Sequence, residues 1–485
     1  MSKRYAVIGQ NISHTLSPEL HGIFAKYTSG YRYEKLDIDK TELKKVLQDT
    51  RYSGFNVTMP HKREVIQYLD EISEEARELN AVNTIRRMPD GRLVGYNTDV
   101  YGFEMLAGRQ RIQGRKVLVF GTGGAASAIL RALRNMGAKE IIVVSRTPRE
   151  GENYCTYEEL KNHLDAQVLV NATPVGMYPY AGKSPLDGYG ISPADFPKLE
   201  SAFDAIYRPY RTKFIMDAEE AGAYARSGLA MLVYQGLQSA QIWGEVPENG
   251  MGRKVIPCRA TGKRGNRHGD SRHSRWKNQR KYRTIRIHLG REAHKYLLRR
   301  QLNITVIGMP GCGKSSISRQ MALRLKRPFL DIDRKITEKY GIAPGEMIET
   351  QGEEAFRRCE TEVLSEICSE NGQVIATGGG VVTQPENLPI MRSNSVVIYL
   401  KRPTHLLARK GRPISAAVGV EELYRRRAPL YEEAADICIE NNYEFGKPRG
   451  RNPRHRQNSY IDDCRAFAGR MRKMAMKYID TMVEG

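Results

Sequence analysis

Apolar residues fall into two rhythms along this chain. In "RKVLVFGTGGAASAILRALRNMGAKEIIVVSR" (115–146) a short continuous apolar run meets a glycine turn. Apolar positions at helical spacing follow, and then a second continuous run. Short runs bounded by turn residues read as buried strands, and i, i+3, i+4 spacing reads as a helix. The segment is therefore expected to be a strand–helix–strand unit. "AQVLVNAT" (166–173) and "SAFDAIY" (201–207) predict further buried strands. From "NITVIG" (303–308) strand–loop–helix order resumes, and "YIDDCRAFAGRMRKMAMKYIDTMV" (460–483) has the spacing of a terminal helix. Between these regions, residues 251–300 show no apolar period. They read as a solvated linker, with helical tendency only near "REAHKYLLRR" (291–300). No internal repeat is evident. The pattern as a whole is that of an α/β protein with more than one domain.

Length and composition narrow this picture. A chain of 485 residues exceeds what one core holds, so two to four domains are expected. No run approaches the ~18 apolar residues that span a bilayer. The start, "MSKRYAVIGQ", has no leader-like apolar stretch. Seven cysteines lack CxxC spacing, which argues for a reducing, cytoplasmic setting over a zinc site or disulfide framework. The net charge of +22 is local. Residues 251–300 hold 17 Lys and Arg against two acids, and "KPRGRNPRHR" (447–456) adds five more and no acid. The linker has few aromatics (Trp276, Tyr282, Tyr296) and no RNA-binding motif, so nucleic acid is not the favoured partner.

"GMPGCGKS" (308–315) fits G-x-x-x-x-G-K-[ST] between a strand and a helix. Glycines let main-chain N–H groups turn inward around phosphates, Lys314 neutralises the transferring phosphate, and the Ser315 hydroxyl can ligate Mg²⁺. "FLDIDRKI" (329–336) places Asp331 where it can hold Mg²⁺ through water, and Asp333 where it can accept a hydroxyl proton. "GEEAFRRCE" (352–360) supplies Arg357, "ATGGGVV" (376–382) a triple glycine, and "GRPIS" and "RRRAPLYEEAAD" supply Arg412 and Arg427. Arginine forks grip carboxylates bidentately, so the set describes a pocket for a small hydroxylated acid.

This ordered set resembles shikimate kinase over roughly 302–445. The resemblance implies that Asp333 binds ring hydroxyls and serves as base, and that Arg357 and Arg427 clamp the substrate carboxylate. It implies that Gly378, Gly379 and Gly380 line the pocket. Gly311, Cys312, Gly313, Lys314, Ser315 and Ser316 would hold ATP, with Arg412 reaching the phosphates from a lid and Arg409 stacking on adenine.

Ahead of it, "FGTGGAAS" (120–127) turns from strand to helix, and "SRTPR" (145–149) ends the next strand. An acid at that strand end would favour NAD; Ser145, Arg146 and Arg149 favour a 2′-phosphate and hence NADP. "FNVTMPHK" (55–62) places Lys62 after a strand, and "GYNTDVYGF" (95–103) places Asn97, Thr98 and Asp99 in a turn. A Lys and an Asp brought together can move a proton while a hydride moves at carbon. Thr15 and Ser17 in "HTLSPELH" (14–21) are free to bond a carboxylate.

Together with "AVNT" (81–84), "NATPVGM" (171–177), "DAIYRPYRTKF" (204–214) and "GLAMLVYQG" (228–236), these pieces resemble shikimate dehydrogenase across nearly all of 1–250. The resemblance implies Lys62 and Asp99 as the catalytic pair. It implies Thr15, Ser17, Thr58, Asn83, Tyr207 and Gln235 as substrate contacts, and Gly121, Gly123, Gly124, Ala125, Arg146 and Thr147 as NADP contacts. The fold implied is a two-lobed dehydrogenase with a Rossmann nucleotide lobe, followed by a P-loop parallel-sheet kinase domain. The expected division is a substrate lobe (1–100 with 229–250), an NADP lobe (101–228), a basic flexible linker (251–301) and a kinase domain (302–485). The first half would reduce 3-dehydroshikimate with NADPH, and the second would phosphorylate shikimate with Mg·ATP. Two alternatives stand beside this: one half inactive, or added nucleic-acid binding through the linker. Some use of quinate or NAD also stays open.

Overall fold

The computed structural model describes residues 2–28, 30–149, 153–178, 180–246, 287–407, 419–442 and 453–484. They divide into two compact units. The first comprises Met1–Pro174, Pro185–Tyr207 and Asp217–Leu297; the second comprises Val175–Ser184, Arg208–Met216 and Leu298–Gly485.

The first unit holds two sheets. Strands β1 (Arg4–Gly9), β2 (Arg32–Asp37), β3 (Gly54–Val57), β4 (Glu71–Ile72), β5 (Thr84–Arg87) and β6 (Leu93–Tyr96) form one. Its order is β2-β1-β3-β5-β6-β4. β1 runs parallel to β2 and β3, whereas β3, β5 and β6 alternate in direction. Ala6, Ile8, Phe55, Val57 and Ile85 from these strands share a core with Leu43, Leu47 and Val65. Burial on both faces explains why "YAVI" in β1 is an unbroken apolar run.

The second sheet contains β7 (Lys116–Phe120), β8 (Glu140–Ser145), β9 (Tyr154–Thr156), β10 (Val168–Asn171), β11 (Ser201–Asp204) and β12 (Tyr224–Arg226). All its neighbours are parallel, in the order β12-β11-β10-β7-β8-β9. The strand–helix–strand pattern read from 115–146 is present as β7, the helix Gly124–Asn135 and β8. Ala126, Ile129, Ala132 and Leu133 bury one face of that helix. The winding reverses at β7, with β8 on one side and β10 on the other. In such sheets the crevice at the carboxyl ends beside the reversal receives ligands.

The second unit is built on β13 (Asn303–Ile307), β14 (Phe329–Asp331), β15 (Val374–Ala376), β16 (Ser395–Lys401) and β17 (Ile437–Glu440). This sheet is parallel throughout, in the order β14-β15-β13-β16-β17. The phosphate-loop motif follows the central strand β13 and opens the helix Lys314–Leu325. The terminal helix, Pro453–Glu484, packs along that helix. Phe467, Ala468, Met471, Ala475 and Ile479 bury its inner face against a helix whose own Ile317, Met321 and Ala322 are buried. It starts earlier than the expected 460 because its first turns carry no apolar period; the proline at its start suits a helix N-terminus.

Residues 287–301 form a helix that takes in "REAHKYLLRR". Leu289, Ala293 and Leu297 are buried in it. Gly290 leaves no room for a side chain: a Cβ there would lie 2.4 Å from the Tyr234 ring. The rest of the linker, 251–286, and most of the basic segment near 447–456 lie outside the described residues. Among the described residues no helix is long and apolar enough to cross a membrane.

Candidate active sites

In the first sheet, neighbouring strand ends bring three polar side chains together. Lys62 lies in the turn after β3, Asn83 precedes β5, and Asp99 follows β6. Lys62 Nζ lies 2.6 Å from Asp99 Oδ2, with the side chains 27% and 13% exposed. Asn83 Nδ2 donates to the other carboxylate oxygen at 2.8 Å, and its Oδ1 accepts from the Thr98 N–H at 2.8 Å. The Asp99 N–H donates to Asn97 Oδ1 at 3.0 Å. Asp99 was expected in a turn; it is instead the first residue of the helix Asp99–Ala107. Its carboxylate is oriented there by Lys62 and Asn83, one on each oxygen.

The helix Leu229–Ile242 closes the far side. Gln235 Oε1 lies 3.4 Å from Thr98 Oγ1. Ser239 Oγ joins Asn56 Nδ2 and Thr84 Oγ1, each at 2.8 Å. Thr15 Oγ1 pairs with Ser17 Oγ at 3.2 Å at the start of the helix Ser17–Tyr27. Thr58 packs against Gly9, where an added Cβ would lie 2.5 Å from its methyl group. Tyr207 follows β11 and is half-buried.

The turn after β7 requires glycine at its first position. Gly121 has φ +104°, and a Cβ there would meet Thr173 Cγ2 at 2.9 Å. Gly123 and Gly124 face open space, so main-chain N–H groups at the helix start are approachable, with Ala125 in the first turn. Ser145 ends β8, and Arg146 and Thr147 beyond it are exposed. Arg149 reaches back to the glycine turn, where its Nη2 donates to Thr122 Oγ1 at 3.1 Å. Arg149 thus rims the turn, and Arg146 follows the neighbouring strand end.

In the second unit Gly308, Gly311 and Gly313 all have positive φ. Lys314 is 8% exposed, and its ammonium donates to the carbonyls of Gly308 (2.8 Å) and Met309 (3.1 Å). Asn441, at the end of β17, braces the loop through Nδ2 to the Cys312 carbonyl at 2.9 Å. Ser315 is exposed in the first helical turn beside Ser316. Asp331 closes β14, and Asp333 falls in the first turn of the helix Ile332–Tyr340.

The triple glycine is where the pocket converges. A Cβ on Gly378 would meet Glu360 Oε1 at 2.5 Å and Asp333 Oδ1 at 3.1 Å. On Gly379 it would meet the Pro310 ring at 2.5 Å, and on Gly380 the Arg357 guanidinium at 2.2 Å. Only glycine lets these groups close on the main chain. Arg357 is held by Glu360 Oε2 at 2.6 Å and Glu353 Oε1 at 2.8 Å. Burial pushes the Glu360 carboxyl up, against the opposing pull of Arg357. Burial alone would lower the Arg357 guanidinium, but Glu360 and Glu353 raise it on balance. Arg427 Nη1 donates to the Gly379 carbonyl at 3.0 Å, and the Tyr431 hydroxyl donates to the same oxygen. Arg409 and Arg412 lie outside the described residues.

Glu360, Tyr431, Thr122 and Asn441 were not anticipated as site residues. Two were findable: Glu360 is three residues after Arg357 and Tyr431 four after Arg427, so each shares a helix face with an anticipated arginine. Among the described residues no group of three His, Cys, Asp or Glu side chains could hold a metal ion.

Comparisons with known proteins divide along the same line. Residues 7–85 match the family model of the shikimate dehydrogenase substrate binding domain, and residues 310–446 match that of shikimate kinase. The shikimate dehydrogenase (NADP(+)) of Clostridium beijerinckii is 35% identical over 254 residues, covering 50% of this chain and 92% of that protein. That of Pyrococcus abyssi is 38% identical over 268 residues, covering 52% and 97%. Among solved structures, a chorismate mutase/shikimate 5-dehydrogenase fusion protein from Clostridium acetobutylicum is 37% identical, covering 50% of this chain and 91% of that one, with a TM-score of 0.46.

Proposed function

The chain belongs to the shikimate dehydrogenase family, and from that premise we propose that it catalyses two consecutive reactions. The first half reduces 3-dehydroshikimate to shikimate with NADPH. The second phosphorylates the hydroxyl just formed, at the expense of ATP, giving shikimate 3-phosphate. The observation that carries this reading is the Lys62–Asp99 pair at 2.6 Å in a chain that also folds a phosphate loop onto a glycine turn rimmed by Arg357 and Arg427.

In the first site Lys62 donates a proton to the substrate oxygen, and Asp99 keeps the ammonium aimed. Asn83 fixes Asp99 through its second oxygen. Thr15, Ser17, Thr58, Tyr207 and Gln235 hold the remaining polar groups of the substrate. NADPH, when bound, supplies the hydride. The residues present fit it: Gly121, Gly123, Gly124 and Ala125 leave main-chain N–H groups open to phosphates, and Arg146, Thr147 and Arg149 offer donors to a 2′-phosphate. A charge-assisted contact of this kind contributes roughly 1.5–3 kcal/mol. Arg146→Ala is therefore expected to raise the KM for NADPH about tenfold and leave the KM for NADH nearly unchanged. Steady-state kinetics with both cofactors decides it; equal losses remove Arg146 from this role.

In the second site Arg357 and Arg427 grip the substrate carboxylate, and Asp333 accepts the hydroxyl proton as the phosphoryl group transfers. Lys314 leaves its two loop carbonyls to neutralise the phosphates, which Gly311, Cys312, Gly313 and Ser316 cradle. Arg409 and Arg412 complete the nucleotide side. Mg²⁺, when bound with ATP, offsets phosphate charge; the hydroxyl of Ser315 and the carboxylate of Asp331 are hard oxygen donors that suit it. A cytoplasmic setting fits the free thiols Cys155, Cys312, Cys359, Cys368 and Cys438.

One experiment tests the whole reading. Purified protein given 3-dehydroshikimate, NADPH and Mg·ATP is expected to yield shikimate 3-phosphate by mass. Omission of ATP should stop the sequence at shikimate. Unchanged 3-dehydroshikimate, or accumulation of shikimate in the presence of ATP, refutes the half concerned.

A further inference from the structure

Side chains hold three carbonyls of the phosphate loop, and the holders differ in kind. Those of Gly308 and Met309 accept from the Lys314 ammonium, which the proposed chemistry draws away to the phosphates. That of Cys312 accepts from Asn441 Nδ2 at 2.9 Å. Asn441 is neutral and fully buried, and it directly follows β17. Its own N–H donates to the Lys401 carbonyl of β16 at 2.7 Å, so the side chain projects from a fixed point of the sheet. The amide faces the loop in one sense only: with Oδ1 turned to the Cys312 carbonyl, two acceptors would meet. The Cys312–Gly313 peptide is trans. In a planar trans peptide the C=O and N–H point in opposite directions. A Cys312 carbonyl turned to Asn441 therefore sends the Gly313 N–H to the other side of the loop. Gly313 caps the helix Lys314–Leu325 with φ +101°, and N–H groups at such a helix start gather around an anion.

We propose that Asn441 is a positioning residue for ATP: by holding the Cys312 carbonyl it keeps the Gly313 N–H aimed at the phosphates. The inference rests on the second site binding ATP as proposed above. Rotation of the 312–313 peptide exchanges a donor for an acceptor on the phosphate side. Glycine at 313 leaves that rotation sterically open. A carbonyl facing a phosphate repels it, so one sense of the peptide binds the nucleotide and the other does not. Asn441 selects the binding sense before the nucleotide arrives. Its bond to Cys312 lies on the side away from the Gly313 N–H, so it persists when Lys314 leaves the other two carbonyls. Without the amide, the fully buried Cys312 loses this donor to its carbonyl, and the flipped peptide gains population. Apparent affinity for ATP then falls in proportion to the loops that face the wrong way. The side of the pocket built on Arg357, Arg427 and Asp333 does not depend on this peptide.

Asn441→Leu keeps the branched shape of the side chain and removes the donor. Its KM for ATP, read as ADP release with shikimate and no NADP present, is expected to rise about tenfold. Its KM for shikimate should stay within about twofold of the parent. Adenosine carries no phosphate, so its inhibition constant against ATP should also match the parent within about twofold. Asn441→Ala removes the same donor without an apolar graft and carries the same three expectations. The proposal is overturned if both variants bind ATP as the parent does. It is also overturned if the constants for ATP, shikimate and adenosine all degrade together with a fall in Tm, since packing would then account for the effect. Failure of both variants to fold makes Asn441 a structural residue and overturns it as well. A parent protein that does not phosphorylate shikimate overturns the proposed second activity and this inference with it. A parent that does, beside variants with an unaltered KM for ATP, overturns this inference alone.

Discussion

Lys62→Ala is expected to lower the reduction of 3-dehydroshikimate by about a thousandfold and to leave phosphorylation of added shikimate at the parent rate. A positioned proton donor contributes about 10²–10⁴ in rate, and no other described side chain shares the carboxylate oxygen that Lys62 holds. The fold should survive the change. Lys62 is partly exposed, its main-chain carbonyl still accepts from the Val82 N–H, and Asp99 retains Asn83 and the helix start. Two rates measured on one preparation give the answer: NADPH oxidation with 3-dehydroshikimate, and ADP release with shikimate. Loss of both in a folded protein would mean that the chain does not carry two separate sites.

Lys314→Ala should produce the mirror image, with phosphorylation reduced by about 10²–10³ and NADPH oxidation untouched. Removing one preorganised charge from a developing phosphate has effects of that size. Lys314 also ties Gly308 to Met309 through two hydrogen bonds, so its loss could loosen the loop as well as remove charge. Lys314→Met, which keeps the length of the side chain without its charge, separates these contributions. If Met restores activity, the ammonium is not what accelerates transfer. If both variants fail alike and melt at the parent temperature, charge is the cause.

Strands and phosphate turns were legible because their signals are local. The "VLVF" run of β7, the glycine turn behind it and the helical spacing of 124–135 lie within twenty-odd residues of one another, and each demands one conformation. Lys62 and Asp99 were legible through short motifs at strand ends, where the chain emerges at the carboxyl edge of a sheet. What escaped depends on contacts distant in sequence. Ser239 meets Asn56 across 183 residues, and Asn441 meets Cys312 across 129. No spacing rule connects such pairs. The double load on Gly379 escaped because a glycine's carbonyl leaves no trace in composition. The helical start of Asp99 was misread as a turn because "GYNTDV" contains good turn formers, and the apolar Val100, Phe103 and Leu106 that make it a helix follow afterwards.

The long helix Pro453–Glu484 has a bearing on how the protein is born. The chain emerges from its N-terminus at about 5–20 residues per second, and domains tend to fold in that order. The strand β13 appears early in the second unit, but Met471, Ala475 and Ile479, which cover the helix behind the phosphate loop, come more than 150 residues later. The interval is on the order of ten to thirty seconds at those rates. Throughout it, the helix Lys314–Leu325 lacks the apolar face that packs along it in the finished molecule. The dehydrogenase sheets have no such wait for a late helix from the far end of the chain. A ribosome-bound intermediate is therefore expected to be competent for reduction and not yet for phosphorylation, with the half-built kinase exposing the surface that a nascent-chain chaperone would grip.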